Sequence, residues 1–147
     1  MLGINKHTWI IVANGSECKI FSTNNNGKTI KLLKGFYSAD SHLQAVYLGT
    51  DKPGRIHESG SATRHAIEPK SDLHYKEKIK FSNLIANYLN KEIKTEKFSH
   101  LILIASPEFL GEIRKKLNKQ IISIIMKEIN KDLTHIKEEE ILQHILR

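Results

Sequence analysis

The chain has one cysteine, Cys18, three prolines and only 7% aromatic residues. A single cysteine excludes an intramolecular disulfide, and with it the small scaffolds that depend on several. Its place among strand-forming residues predicts a small buried apolar side chain rather than a reactive thiolate. No apolar run approaches the roughly 20 residues a membrane-spanning helix needs, so membrane insertion is not expected. The first residues, Met1-Leu2-Gly3-Ile4-Asn5-Lys6-His7, lack a basic region followed by an apolar one and a small-residue cleavage site, which predicts a cytoplasmic location. Acids are the scarcer charge, 16 against 23 Lys and Arg, leaving a net +7 that permits attraction to phosphate backbones.

What is present describes one ordinary globular domain spanning residues 1–147, long enough to bury a real core. Thr8 to Ala13 is rich in β-branched and aromatic residues and is followed by Asn14-Gly15, a strong hairpin signal. A two-residue loop there pairs Ala13 with Ser16, Ile11 with Cys18 and Trp9 with Ile20. Ile10 and Val12 are apolar on the other face, so this strand is expected to be central and covered on both sides. Glu17 to Thr23 reads as a second strand with Glu17 and Lys19 outward and Cys18 and Ile20 inward. Asn24-Asn25-Asn26-Gly27 is a turn, and a third strand from Lys28 to Tyr37 completes an antiparallel meander.

The rest of the chain alternates helices with strands. Phe81, Leu84, Ile85, Tyr88, Leu89 and Ile93 recur at helical spacing, with Ser71 or Asp72 as N-cap. Phe98 to Ala105 is a buried strand, and Ser106-Pro107-Glu108 opens a helix that buries Leu110, Ile113 and Leu117. Ile122 to Asn130 is expected to be a strand, and Lys137 to Leu146 a closing helix that buries Ile141, Leu142 and Ile145. The fold class is therefore α/β: an antiparallel three-strand meander followed by β-α-β-α units, giving one mixed sheet flanked by helices with a ribonuclease H-like topology.

The candidate working surface is the polar segment 48–70, longer than the loops compact domains usually carry unless they are functional or disordered. Pro53 fixes one φ and Gly54 frees the next, a turn that aims Lys52 and Arg55 outward beside Asp51. Arg64, with Lys70, Lys76, Lys78 and Lys80, extends a phosphate-binding rim, and Arg114, Lys115, Lys116 and Lys119 form a second basic group. Aromatic platforms are scarce there, so backbone contact is favoured over base-specific readout, and no DNA sequence readout is expected. His57, His65 and His74 match no closed metal-ligand spacing, so no metal site and no cofactor are expected. Ser59-Gly60-Ser61 lacks the frame of a nucleophile elbow. A two-metal nuclease needs converging carboxylates, yet Asn14 ends the first strand and Asp40, Asp51 and Glu108 are not obviously convergent. No residue is assigned a catalytic role.

Several segments together resemble the bacterial host attachment family. They are Trp9-Ile10-Ile11-Val12-Ala13-Asn14-Gly15, Asp51-Lys52-Pro53-Gly54-Arg55, Arg64-His65-Ala66, Phe98 to Ala105 with Pro107-x-Phe109-Leu110-Gly111-x-x-Arg114, and Lys131-Asp132-Leu133-Thr134. Asn14 departs from the Asp that family members often carry. That family is similar in turn to the middle domain of archaeal and eukaryotic class-1 peptide release factors, whose Gly-Gly-Gln loop promotes peptidyl-tRNA hydrolysis. No Gly-Gly-Gln occurs here, so peptide release by that route is not expected. The resemblance implies a non-enzymatic module presenting Asp51, Lys52, Pro53, Gly54, Arg55, His57, Arg64 and His65, with Arg114 in support, to the ribosome, ribosomal RNA or tRNA. Two alternatives stand beside it: a hydrolase of phosphodiesters or esters with His57 or His65 as base, and a protein-interaction factor affecting attachment.

Overall fold

The computed structural model describes residues 7–24, 27–38 and 70–147. The strands are β1 (Thr8–Ala13), β2 (Glu17–Asn24), β3 (Thr29–Tyr37), β4 (His100–Ala105) and β5 (Ile125–Ile129). The helices are α1 (Lys70–Glu92), which ends in a 3-10 turn (Ile93–Thr95), α2 (Pro107–Lys116), α3 (Lys119–Ser123) and α4 (Glu138–Leu146). They build one five-stranded sheet in the order β3-β2-β1-β4-β5, with β1, β4 and β5 parallel and β2 antiparallel to both its neighbours. This order is compatible with the expected ribonuclease H-like topology.

All six residues of β1 are buried because both sheet faces are covered. On one face Trp9, Ile11 and Ala13 join Phe81, Ile85 and Leu89 of α1 with Phe109 and Ile113 of α2. On the other, Ile10 and Val12 meet Phe21, Leu133 and Ile141 and Ile145 of α4. Trp9 stacks on Phe98 with ring centroids 4.3 Å apart, and Phe81 lies 5.7 Å from Phe109, so aromatic contacts fill the seams under α1.

Several expectations are corrected. The first hairpin pairs Ala13 with Cys18, Ile11 with Ile20 and Trp9 with Ser22, two residues out from the expected register. Asn14 causes this: its side-chain Oδ1 accepts hydrogen bonds from the backbone N–H of Ser16 (2.8 Å) and Glu17 (2.9 Å), so the residue flanks the turn instead of occupying its centre. A shift of two preserves the inward and outward faces. Lys19 is half-buried rather than outward, because the C-terminal segment covers that face.

In β3 a bulge between the Ile20–Lys34 and Phe21–Leu32 pairs inserts Leu33. It reverses the face, so Ile30 packs with the α4 side and Phe36 with the α1 side despite their even separation. Gly27, at φ 87°, supplies the left-handed residue that returns the chain into β3.

Helix α1 begins at Lys70, so Ser71 and Asp72 lie inside its first turn rather than capping it. Leu84 is exposed, and the buried stripe instead takes in Ser82 and Ala86. The strand expected from Ile122 is a helix and then a strand. Asn118 caps α3, its Oδ1 accepting from Ile121 N–H at 2.9 Å, and this cap holds Lys119–Ser123 helical against the β preference of its two isoleucines.

Candidate functional site

The parallel register of β1 with β4 brings Asn14 and Ser106 side by side at the carboxyl ends of the central strands, where Ser106 N–H donates to Ala13 O at 3.4 Å. Open α/β sheets bind ligands at this end, where connections diverge to opposite faces. The divergence occurs here: α1 and α2 lie on one face, and the chain leaving β5 crosses to the other. The amino-terminal part of α1 reaches the same end, since the Lys78 stem lies across Gly15, whose absent Cβ would stand 2.9 Å from Lys78 Cγ. Gly15 is therefore needed for close approach.

Two structures form around this end. The first is a polar clasp. Asn14 Nδ2 donates to Asp132 Oδ2 (2.8 Å) and to Thr134 Oγ1 (3.2 Å). Asp132 Oδ1 accepts from the backbone N–H (3.0 Å) and hydroxyl (2.7 Å) of Thr134, and Lys19 Nζ donates to Thr134 O at 2.9 Å. Partial burial pushes the Asp132 carboxyl up, but the hydrogen bonds from Asn14 and Thr134, with nearby His135, outweigh it and hold the group below its ordinary value. The clasp joins the β1–β2 turn to the segment after β5 and keeps Asp132 ionised.

The second is a shallow cavity of about 300 Å³ lined by Gly15, Tyr75, Lys78, Ser106, Glu108 and Glu112, with Phe109 at its floor. Lys78 Nζ faces Glu108 at 3.5 Å. This is a mixed polar hollow with one cation, two acids, a phenol and a hydroxyl.

Among the described residues no group of three or more His, Cys, Asp or Glu is placed to hold a metal. Cys18 is fully buried, and burial, with Glu17 beside it, drives its thiol far above the ordinary range, so it supplies no thiolate. Among the described residues no helix is long and apolar enough to cross a membrane.

Of the candidate residues from sequence, Asp51, Lys52, Pro53, Gly54, Arg55, His57, Arg64 and His65 lie outside the described residues. Of the described residues around that segment, Ser38 N–H donates to Ser16 O at 2.9 Å, and α1, which begins at Lys70, reaches the site through Tyr75 and Lys78. Arg114 lies on α2 with its Nε 3.1 Å from Glu128 Oε2 of β5, the sheet edge opposite Ser38. Two other members of its basic group are internally engaged: Glu112 takes both Lys115 (3.4 Å) and Lys116 (3.5 Å), and Lys116 donates to Ser82 Oγ at 2.6 Å. Sequence reasoning missed the clasp residues Lys19, Asp132 and Thr134. The Asp-x-Thr spacing, which favours a local side-chain-to-backbone turn, was the signal available.

A family model described as "Protein required for attachment to host cells" matches residues 9–145. The chain belongs to this family. No curated protein sequence matches it. Among solved structures, the fold is similar to an archaeal translation termination factor, aRF1, at a TM-score of 0.52 and 10% identity. The likeness covers 95% of this chain and 37% of that one, so the chain spans well under half of the factor's length. The expected similarity in fold to a class-1 release factor is borne out.

Proposed function

We propose that this family member is a non-enzymatic binding module that contacts RNA or the ribosome through the basic segment between Asp51 and Lys70. The observation that carries it is the fold-level likeness to a translation termination factor over nearly the whole chain. One feature of the described residues favours it. Ser38 and the Tyr75–Lys78 turn of α1, described residues before and after that stretch of chain, lie at the carboxyl end of the sheet, where this architecture presents ligand-binding loops. In this proposal Lys52, Arg55 and Arg64 supply phosphate contacts, and Pro53 and Gly54 set the loop shape. The attachment role in the family description is then a consequence of this activity in the cell.

Sedimentation of the tagged protein through sucrose gradients at low and moderate salt tests the proposal. The expected result is salt-sensitive migration with a ribosomal subunit, lost in the Lys52→Ala/Arg55→Ala variant. Protein confined to the top of the gradient at both salt concentrations overturns ribosome binding.

A further inference from the structure

We propose that the solvent-facing stripe of α1 is a track for an RNA phosphate backbone, extending the surface proposed above and resting on that RNA-contact reading. Lys76, Lys80, Asn83, Asn87, Lys91 and, in the 3-10 turn, Lys94 are all exposed. At 100° per residue they fall within an arc of about 80°, and at 1.5 Å per residue they extend about 27 Å. Between Lys76 and Lys94 no acidic residue shares that arc. Of the acids on this stretch, Glu77 sits beside it, 3.6 Å from Lys80, and Glu92 lies further round, paired with Lys97 at 2.9 Å.

The opposite side of the helix is committed to the core through Phe81, Ile85 and Leu89. The stripe is thus a row of cations with two amides between them, on the longest helix among the described residues and starting near the carboxyl end of the sheet. Apart from Lys80, which Glu77 partly takes up, it contrasts with the lysines of α2, whose charges Glu112 takes up internally.

Charge complementarity selects the partner. A straight row of amines and amides without an acid fits a polyanion whose charges repeat along a line. The asparagines add donors and acceptors suited to phosphate oxygens and 2′-hydroxyls. An anionic bilayer is a poorer match, because insertion needs an apolar face and the row itself holds only lysines and asparagines. The row carries no base-reading geometry, so binding is independent of sequence.

The test is fluorescence anisotropy of a fluorescein-labelled 20-nucleotide poly(U) RNA across a potassium chloride series. Four proteins are compared: the wild-type chain; Lys76→Ala/Lys80→Ala/Lys91→Ala/Lys94→Ala; the same four positions changed to Arg; and a matched-charge control, Lys28→Ala/Lys31→Ala/Lys119→Ala/Lys131→Ala. Alanine is the best helix former and these sites are exposed, so α1 should persist, as circular dichroism would verify. We expect the stripe variant to lose about tenfold or more in affinity, and the slope of log K against log salt to flatten by roughly 2–3. The arginine variant should bind as wild type, and the control should stay within about twofold of it.

Equal losses in the stripe and control variants would reduce the effect to net charge and overturn the proposal. So would absent RNA binding, or binding confined to vesicles containing phosphatidylglycerol. Lys52→Ala/Arg55→Ala, run alongside, separates the two surfaces. If it loses binding while the stripe variant keeps it, the track is wrong and the loop stands. The reverse pattern supports the track and overturns the loop.

Discussion

Replacing Asn14 by Ala should open the clasp at the carboxyl end of the sheet. The side chain makes four hydrogen bonds: its Nδ2 donates to Asp132 Oδ2 and Thr134 Oγ1, and its Oδ1 accepts from the N–H groups of Ser16 and Glu17. Each such bond contributes about 0.5–1.5 kcal/mol net, the one to a carboxylate toward the upper end, and water recovers part of the loss at a half-exposed site. The expected cost is therefore about 2–3 kcal/mol, or a fall in Tm of roughly 5–10 °C for a domain of this size. Urea unfolding of wild type, Asn14→Ala, Asp132→Ala and the double variant would give the coupling energy. A value near zero, or a cost for Asn14→Ala below about 0.5 kcal/mol, would refute the clasp as a stabilising contact. The acid limb supplies an independent check. The Asp132 pKa is lowered in the fold, so its contribution is present above the ordinary carboxylate value and is lost as pH falls through the folded one. Asp132→Asn should flatten the loss of stability below about pH 4, and an unchanged acid limb would count against the ionised clasp. Asn14→Asp has the opposite sign. Two carboxylates in contact raise one pKa, so this variant should be less stable than wild type at pH 7 and close the gap on acidification.

Gly15→Ala should cost under about 1 kcal/mol, since Lys78 must lift from the turn, and combining it with Lys78→Ala should cancel that cost in a denaturation cycle. Phe98→Ala removes a ring that stacks on Trp9 and is 2% exposed, which should cost about 3–5 kcal/mol and shift tryptophan emission to the red in the native state. Glu96 holds φ 59° after the 3-10 turn, and Glu96→Gly should raise stability by about 0.5–1 kcal/mol; a loss would mean its side chain does more than the backbone demands. Cys18 should resist alkylation by iodoacetamide in the native protein and react at an ordinary rate once unfolded, so rapid native labelling would contradict its burial.

Much of the fold was legible because the strongest signals in the chain are hydrophobic. A strand apolar on both faces, Thr8–Ala13, could only be central, and the alternation of strands and helices after residue 70 could only yield parallel partners for it. What sequence could not fix was decided by single polar side chains acting on nearby backbone. Asn14 moved the hairpin register by two, and Asn118 turned the first half of an isoleucine-rich run into a helix. The Leu33 bulge left no mark in the sequence, because exposed apolar residues on an edge strand read the same with or without one.

The site divides along the same line. The clasp depends on a contact between residues 14 and 132, separated by almost the entire chain, and no local pattern announces it. Once formed, it explains why the first strand ends in an amide. Asn14 donates to Asp132, which a carboxylate at that position cannot do while ionised. The pair therefore acts as a brace between the two sheet faces. A brace at the carboxyl end holds in place the turn that receives Ser38 and the glycine on which α1 rests, and these are the described points flanking the basic segment. If the proposed RNA contact is correct, the brace fixes where that segment is presented and where the lysine row on α1 begins. Opening it with Asn14→Ala should then weaken RNA binding about twofold or more without removing a single cation, and should leave the salt slope unchanged, because that slope reports phosphate contacts and not their placement.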